Sequence, residues 1–391
     1  MASVLVRVVL IAVAIALCGS AVAAQTPTTA TMDAPSKPSK LRSPDDGWFD
    51  VGSFLDEKYG FLPVAIPITE PAVGYGAAVG VMFISEPLGQ ARQAGFGRPD
   101  ITLVGALGTE NGTWGVMLAD VRHWFNDRLQ TQVGLTHLSA NLDFHGIGND
   151  RLLDDHPLRY NLEPTGGVVR VKYRLGDTPL WAGIGYAFAS TRITFDKPEG
   201  TPGRPDFERT SNEASLTPSI TYDSRDNLFT PTRGTFAEAV VGIFSPALGG
   251  DDELQRVQLT AIHYLPLLPT LFLGLRGDAS ATFGDAPFYL RPFISLRGAP
   301  IMRYQGEEVV QGEAEMRWQF WKRFSLVGFA GVGAAWNDFE RVHNQRVVPT
   351  GGVGFRYELA RKYGIHAGLD FAVAPDNTAV YLQVGSAWAR P

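Results

Sequence analysis

The chain has 391 residues, 45% of them hydrophobic and 19% charged, with a formal net charge of −6. That balance excludes a nucleic-acid binder, which needs a basic face. A single cysteine excludes a disulfide framework and a cysteine-ligated metal centre, and no segment past the N-terminus offers about 18 consecutive apolar residues for a membrane helix.

Met1 to Ala24 carries Arg7, an apolar run from Val8 to Leu17, and small residues at Ala21, Ala23 and Ala24. This is the layout of a cleavable secretory signal, and its apolar run is too short to cross ~30 Å of hydrocarbon as a helix. Leu17 is too bulky for a lipoprotein site at Cys18, so the cysteine is expected to leave with the signal. Residues 25–59 read as a linker. Gln25 to Asp46 is rich in Thr, Ser, Pro and Lys and is expected to be disordered. Gly47 to Tyr59 holds Trp48, Phe49, Val51, Phe54 and Leu55, spaced for one short amphipathic helix against a barrel opening.

From Gly60 to the end, period-two segments alternate with turn residues. In Glu313–Phe320, Glu313, Glu315, Arg317 and Gln319 share one face and Ala314, Met316, Trp318 and Phe320 the other, because successive strand side chains point to opposite sides. Arg323 to Trp336 and Thr378 to Trp388 repeat the pattern. A soluble sandwich also alternates, but three features favour a membrane barrel. Trp124, Phe125, Phe320, Trp321, Trp336 and Trp388 gather at strand ends, as interfacial girdles do. The strands run to about ten residues, the length that crosses the apolar band when tilted. Short turns (Phe125-Asn126-Asp127, Gly176-Asp177-Thr178, Arg361-Lys362-Tyr363) mix with long loops (Leu142–Glu163, Lys197–Asn212, Gly284–Gln305), as in outer-membrane barrels. The expected fold is therefore all-β, a transmembrane antiparallel β-barrel over 60–391. Counting Phe61–Thr69 as the first strand gives sixteen strands and puts the three long loops on one side. Pro63 and Pro67 in that strand cannot donate to a ladder, which suits a poorly paired seam against the last strand.

The run Tyr222-Asp223-Ser224-Arg225-Asp226-Asn227-Leu228-Phe229-Thr230-Pro231-Thr232-Arg233-Gly234 stops one strand and starts the next with turn chemistry. Taken alone, its Asp223, Arg225 and Asp226 would be a surface ion pair worth less than ~1 kcal/mol. Together with Leu296-Arg297-Gly298, Glu313-Ala314-Glu315-Met316-Arg317 and Phe329-Ala330-Gly331-Val332-Gly333, in that order, it resembles the BamA/TamA superfamily of outer-membrane barrels, the bacterial surface antigens. The resemblance covers Asp223 to Trp388 well and the earlier strands loosely. It implies sixteen strands, an Arg-Gly loop folded into the lumen, and protein insertion, export or biogenesis at the outer membrane. Arg297 would then need a buried carboxylate. Glu315 is the first candidate and Glu313 the second. The family's usual Asp in the fourth motif is replaced by Gly331, so Asp370 is a substitute candidate. The last strand with Trp388 resembles the C-terminal signal read by the barrel assembly machinery, with Ala389-Arg390-Pro391 as a departure. Between Ala24 and Phe61 there is no room for the POTRA domains that relatives carry, so the expectation is a barrel-only branch, its cargo-receiving part absent or supplied by a separate POTRA protein. Lipid and a secreted substrate are the other implied partners.

Enzyme signatures are missing: no Gly-x-Ser-x-Gly, His-Glu-x-x-His, P-loop or Gly-x-Gly-x-x-Gly occurs. His145 with Asp143 and Asp150 comes nearest to a metal cluster but sits in an expected loop, where solvated polar residues are the rule. The reading is a non-enzymatic barrel without cofactor. A passive channel or structural barrel stands as the alternative to an insertion or export barrel.

Overall fold

The computed structural model describes residues 41–52, 60–84, 100–146, 153, 156–196, 207–337 and 346–388. They form seventeen antiparallel strands: β1 Gly60–Glu70, β2 Gly74–Ile84, β3 Ile101–Thr109, β4 Trp114–Trp124, β5 Leu129–Phe144, β6 Leu158–Arg174, β7 Leu180–Phe195, β8 Phe207–Leu216, β9 Ser219–Asp223, β10 Gly234–Phe244, β11 Leu254–Leu268, β12 Leu271–Gly284, β13 Glu308–Trp321, β14 Phe324–Trp336, β15 Arg346–Ala360, β16 Ile365–Ala374 and β17 Asn377–Val384. No described helix is long and apolar enough to cross a membrane, which leaves crossing by strands open.

The count differs from the sixteen expected, and Pro218 is the reason. β8 and β9 both lie between β7 and β10. Proline has no N–H for the ladder, so the strand breaks at Thr217-Pro218. Its neighbours still hold the break: Thr217 and Gly185 exchange backbone bonds, and Val241 N–H donates to the Pro218 carbonyl.

Alternation sorts the side chains as a membrane barrel requires. Glu313, Arg317 and Gln311 point into the lumen and are buried, while Val310, Met316, Trp318 and Phe320 point out and are exposed. The long-loop expectations need shortening. β5, β6 and β7 run 16, 17 and 16 residues, so they extend past the apolar band into what the sequence suggested were loops. Lys197–Asn212 likewise gives up Phe207–Asn212 to β8.

Apart from β8 and β9, which share one place between β7 and β10, each strand pairs with its sequence neighbours, and β1 pairs with β2 along all eleven residues from Gly60↔Ile84 to Glu70↔Gly74. β1 and β17 lie alongside one another, which brings the sheet round on itself. Among the described residues no ladder joins them. Pro63 and Pro67 share parity, so their missing donors fall on one edge of β1. The unbroken ladder to β2 puts that edge toward β17.

Candidate functional site

The lumen is filled from both ends. From the long-loop end, residues 285–307 fold inward between β12 and β13. Ile294, Leu296, Ala299 and Tyr304 pack against Val309, Ala335 and Val348 of the wall. This seats Arg297 over the Phe329 ring, 3.6 Å from guanidinium carbon to centroid. Arg297 Nε donates to Glu313 at 2.8 Å and Nη1 to Asp370 at 3.0 Å. Glu315 Oε2 lies 2.7 Å from Nη1 but off the N–H direction, so it contributes charge and accepts no hydrogen bond. Three carboxylates from two strands thus surround one guanidinium whose side chain is 9% exposed. Balance comes from further cations: Arg356 takes Asp370 bidentately at 2.6 and 2.8 Å, and Arg276 lies 3.8 Å from Glu313.

The role of Gly298 comes from backbone geometry. Its φ is +96°, and a Cβ there would sit 3.1 Å from the Val373 carbonyl group of β16. Only glycine takes both the left-handed conformation and that approach without strain. Gly298 N–H then donates to the Tyr381 hydroxyl, and its carbonyl accepts from Asn377 Nδ2. An added Cβ at Gly331 would meet the Gly312 carbonyl oxygen at 3.0 Å, Thr350 Oγ1 at 3.1 Å and Glu313 Cγ at 3.3 Å. An acidic side chain at 331 would therefore crowd Glu313, and Asp370, fully buried on β16, faces Arg297 from the other side.

At the turn end, residues 224–233 are knitted internally. Asp226 accepts from Thr232 N–H and Oγ1 and from Arg233 N–H. Arg225 binds Asp223 through Nε and Nη2 at 2.8 and 2.9 Å and lies over Phe236. Pro231 lines a small cavity of about 20 Å³ shared with Glu315, Arg317, His366 and Ser386. Gly234 has φ +101°, and a Cβ would meet the Ser224 carbonyl oxygen at 2.3 Å. The turn therefore bends inward and buries Phe229 in a cluster with Ile66, Met82, Tyr363, Ile365 and Val384.

Trp388 departs from the girdle position expected of it. β17 stops at Val384, Gly385 adopts φ +72°, and Ser386 N–H donates to the Phe229 carbonyl at 2.5 Å. This turns the tail inward. Trp388 is buried against Phe236, Ile262 and Tyr264, and its indole N–H donates to Glu313 at 2.5 Å. The physical cause is partner availability. A carboxylate of the lumen network accepts the indole donor, and Phe236, Ile262 and Tyr264 bury the ring.

Residues 41–46, expected to be part of a disordered linker, are docked. Arg323, in the β13–β14 turn and fully buried, donates to Asp46 at 2.7 and 3.0 Å and to Asp50 at 2.6 Å. The Arg323 hydrogen bonds hold the Asp46 carboxyl down, at about 2 against an ordinary 3.8. Trp48 packs edge-on against Trp321 and Phe324, and Val51 N–H donates to Leu359. Residues 47–51 are not helical, with Arg42 and Phe49 forming a β-bridge instead, and of the described part of the expected helix only Gly52 is helical. The remainder of the expected helix, 53–59, lies outside the described residues, as do the expected signal and Asp150. Sequence reasoning missed this strap because Asp46 and Arg323 are 277 positions apart. The paired acids flanking Trp48 were the available signal.

A sequence model described as the Omp85 superfamily domain matches residues 122–361. A comparison with curated proteins gives no match. Among solved structures, BamA from Haemophilus ducreyi lacking POTRA domains 1-3 aligns with TM-score 0.57 at 12% identity, covering 84% of this chain and 70% of that one. CdiB from Escherichia coli aligns with TM-score 0.54 at 11% identity, over 82% and 61%. CdiB from Acinetobacter baumannii aligns with TM-score 0.53 at 9% identity, over 83% and 59%. The chain thus spans less than two thirds of either CdiB structure.

Proposed function

The chain belongs to the Omp85 superfamily of outer-membrane β-barrels, and from that premise we propose that it inserts or exports proteins or lipids through its β1–β17 seam and performs no enzymatic chemistry. The observation that carries this reading is the seam itself. Among the described residues, every other strand is laddered to a partner on both sides, whereas β1 and β17 lie side by side without a ladder. An unpaired edge offers free backbone groups for an incoming strand. Parting two strands that share no ladder also costs far less than breaking one of the long ladders.

The filled lumen argues against the passive-channel alternative. The inward loop, the 224–233 turn, the C-terminal tail and the 41–52 strap all occupy space that a steady pore would need. Work is therefore assigned to the barrel's side and not its centre. A client is the expected partner, with a periplasmic protein delivering it.

The test is a set of cysteine pairs, one residue in β1 and one in β17, screened for the pair that oxidises in the membrane. Oxidation is expected to abolish the function the protein supports in cells, and reductant to restore it. Full function in the oxidised state would remove lateral opening as the mechanism. Planar-bilayer recording separates the alternative: a steadily open pore in the native protein would favour the channel reading.

A further inference from the structure

Because β1 and β17 share no ladder among the described residues, something else must keep the closed barrel closed. Residues 285–307 reach both sides of the gap. On the β17 side, Arg297 holds Asp370, Gly298 N–H donates to the Tyr381 hydroxyl at 3.1 Å, and Asn377 Nδ2 donates to the Gly298 carbonyl at 2.9 Å. On the β1 side, Ile301 N–H donates to Glu70 Oε1 at 3.1 Å, 231 positions away in sequence. Ala72 and Val73, in the turn after β1, pack on the cluster that contains Tyr289, Leu290 and Met302 of the same loop. Only the stretch from Gly298 to Ile301 therefore separates an anchor on one bank of the seam from an anchor on the other.

We infer that the 285–307 loop is a clasp across the long-loop end of the seam, with Glu70 as its releasable half. The two halves are unequal. The β17 half combines a guanidinium held by three carboxylates with two hydrogen bonds to Gly298. The β1 half rests on one carboxylate acceptor plus the apolar contact of a turn. Among the described residues Glu70 Oε1 has no cation partner; its other contact, Ala72 N–H, lies at 3.5 Å. Strain that parts the strands therefore breaks the Glu70 contact first and leaves the loop attached to β16 and β17. The clasp gives Glu70 a positioning role, holding β1 against its neighbour without touching a client. This inference rests on the lateral-opening reading but is tested separately from it.

The experiment uses the full-length barrel in lipid nanodiscs with Glu70→Leu and Glu70→Gln. Two readouts are taken: hydrogen exchange of the Ile301 amide, and the spin-label distance between the ends of β1 and β17 nearest Glu70. Glu70→Leu removes the acceptor, and loss of that hydrogen bond is expected to speed Ile301 exchange by about tenfold. The same variant should lengthen or broaden the seam distance. Glu70→Gln keeps a carbonyl acceptor and should stay near native in both. Unchanged Ile301 exchange in Glu70→Leu overturns the clasp. So does faster exchange with an unmoved seam distance, because the contact would then be local to the loop. Neither result bears on whether a seam-locked barrel still works, which the β1–β17 cysteine pairs decide.

Discussion

Arg297→Ala removes the cation on which two buried carboxylates and the partly buried Glu315 converge. Breaking a buried ion pair from one side costs about 3–5 kcal/mol, because the abandoned charge stays in low dielectric. The lumen network sets where in that range the loss falls. Asp370 keeps Arg356 at 2.6 and 2.8 Å, and Glu313 keeps the Trp388 indole at 2.5 Å. Glu315 loses most, since its Oε2 accepts no hydrogen bond and its 2.7 Å contact is with Arg297, which leaves it the charge of nearby Arg317. The expected loss is therefore near 3 kcal/mol, which raises the population of the released loop roughly a hundredfold. Trypsin reads this directly. Arg303, followed by Tyr304, lies within the loop and becomes cleavable when it leaves the lumen, so digestion at Arg303 should accelerate by a similar factor. Glu315→Gln in the Arg297→Ala background should recover part of the loss, with a coupling of about 1–2 kcal/mol for groups in contact. Equal digestion of native and Arg297→Ala protein would refute the lock. Failure of Glu315→Gln to help would refute the assignment of Glu315 as the orphaned charge.

The strap is expected to release in acid. The folded-state carboxyl of Asp46 lies at about 2, below its ordinary 3.8, so its contribution is present above 3.8 and lost as pH falls toward 2. Trp48 fluorescence should follow that loss in the native protein, and Arg323→Gln should flatten it; an identical acid transition in both would sink the assignment. Gly234→Ala forces a Cβ to within 2.3 Å of a carbonyl at φ +101°, so heat-modifiable migration should show little assembled barrel, while Gly249→Ala, in an open turn with nothing within 4 Å, should assemble far better. Trp388→Phe loses the indole donor to Glu313 and should cost about 1.5–3 kcal/mol in urea unfolding, whereas Trp388→Ala, which also empties the contact with Tyr264, should cost about 3–5 kcal/mol. A Trp388→Phe variant as stable as the native protein would mean that the hydrogen bond carries nothing.

How much of the barrel and its lumen was legible in the sequence depended on range. Period-two alternation placed Glu313, Glu315 and Arg317 on one face of β13 because the pleat acts locally. The same rule failed at Trp388, since the strand ends at Val384 and a left-handed Gly385 redirects the tail into the lumen. Pro218 was visible as a residue but not as a break, because its neighbours bridge the gap with bonds to β7 and β10. The family pattern drew attention to Gly331 as a missing acid. Only the packed lumen shows Gly312, Thr350 and Glu313 closing the space beside it, with Asp370 approaching from β16. The strap was illegible for a different reason: Asp46 and Asp50 find Arg323 only after the whole barrel has brought its turn-end rim together. Composition marked the segment up to Asp46 as disordered, and composition carries no information about a partner so distant in the chain.

The seam can be measured without knowing the client. Spin labels at Ala65→Cys in β1 and Val380→Cys in β17, in a Cys18→Ser background, report the distance across it in a bilayer. Leu259→Cys with Ala279→Cys, directly opposed on β11 and β12, report a laddered pair. Lateral opening predicts a second, longer distance for the seam pair and a single narrow distance for the control. A seam distribution as narrow as that of β11 and β12, in the native protein and in Glu70→Leu alike, would contradict it.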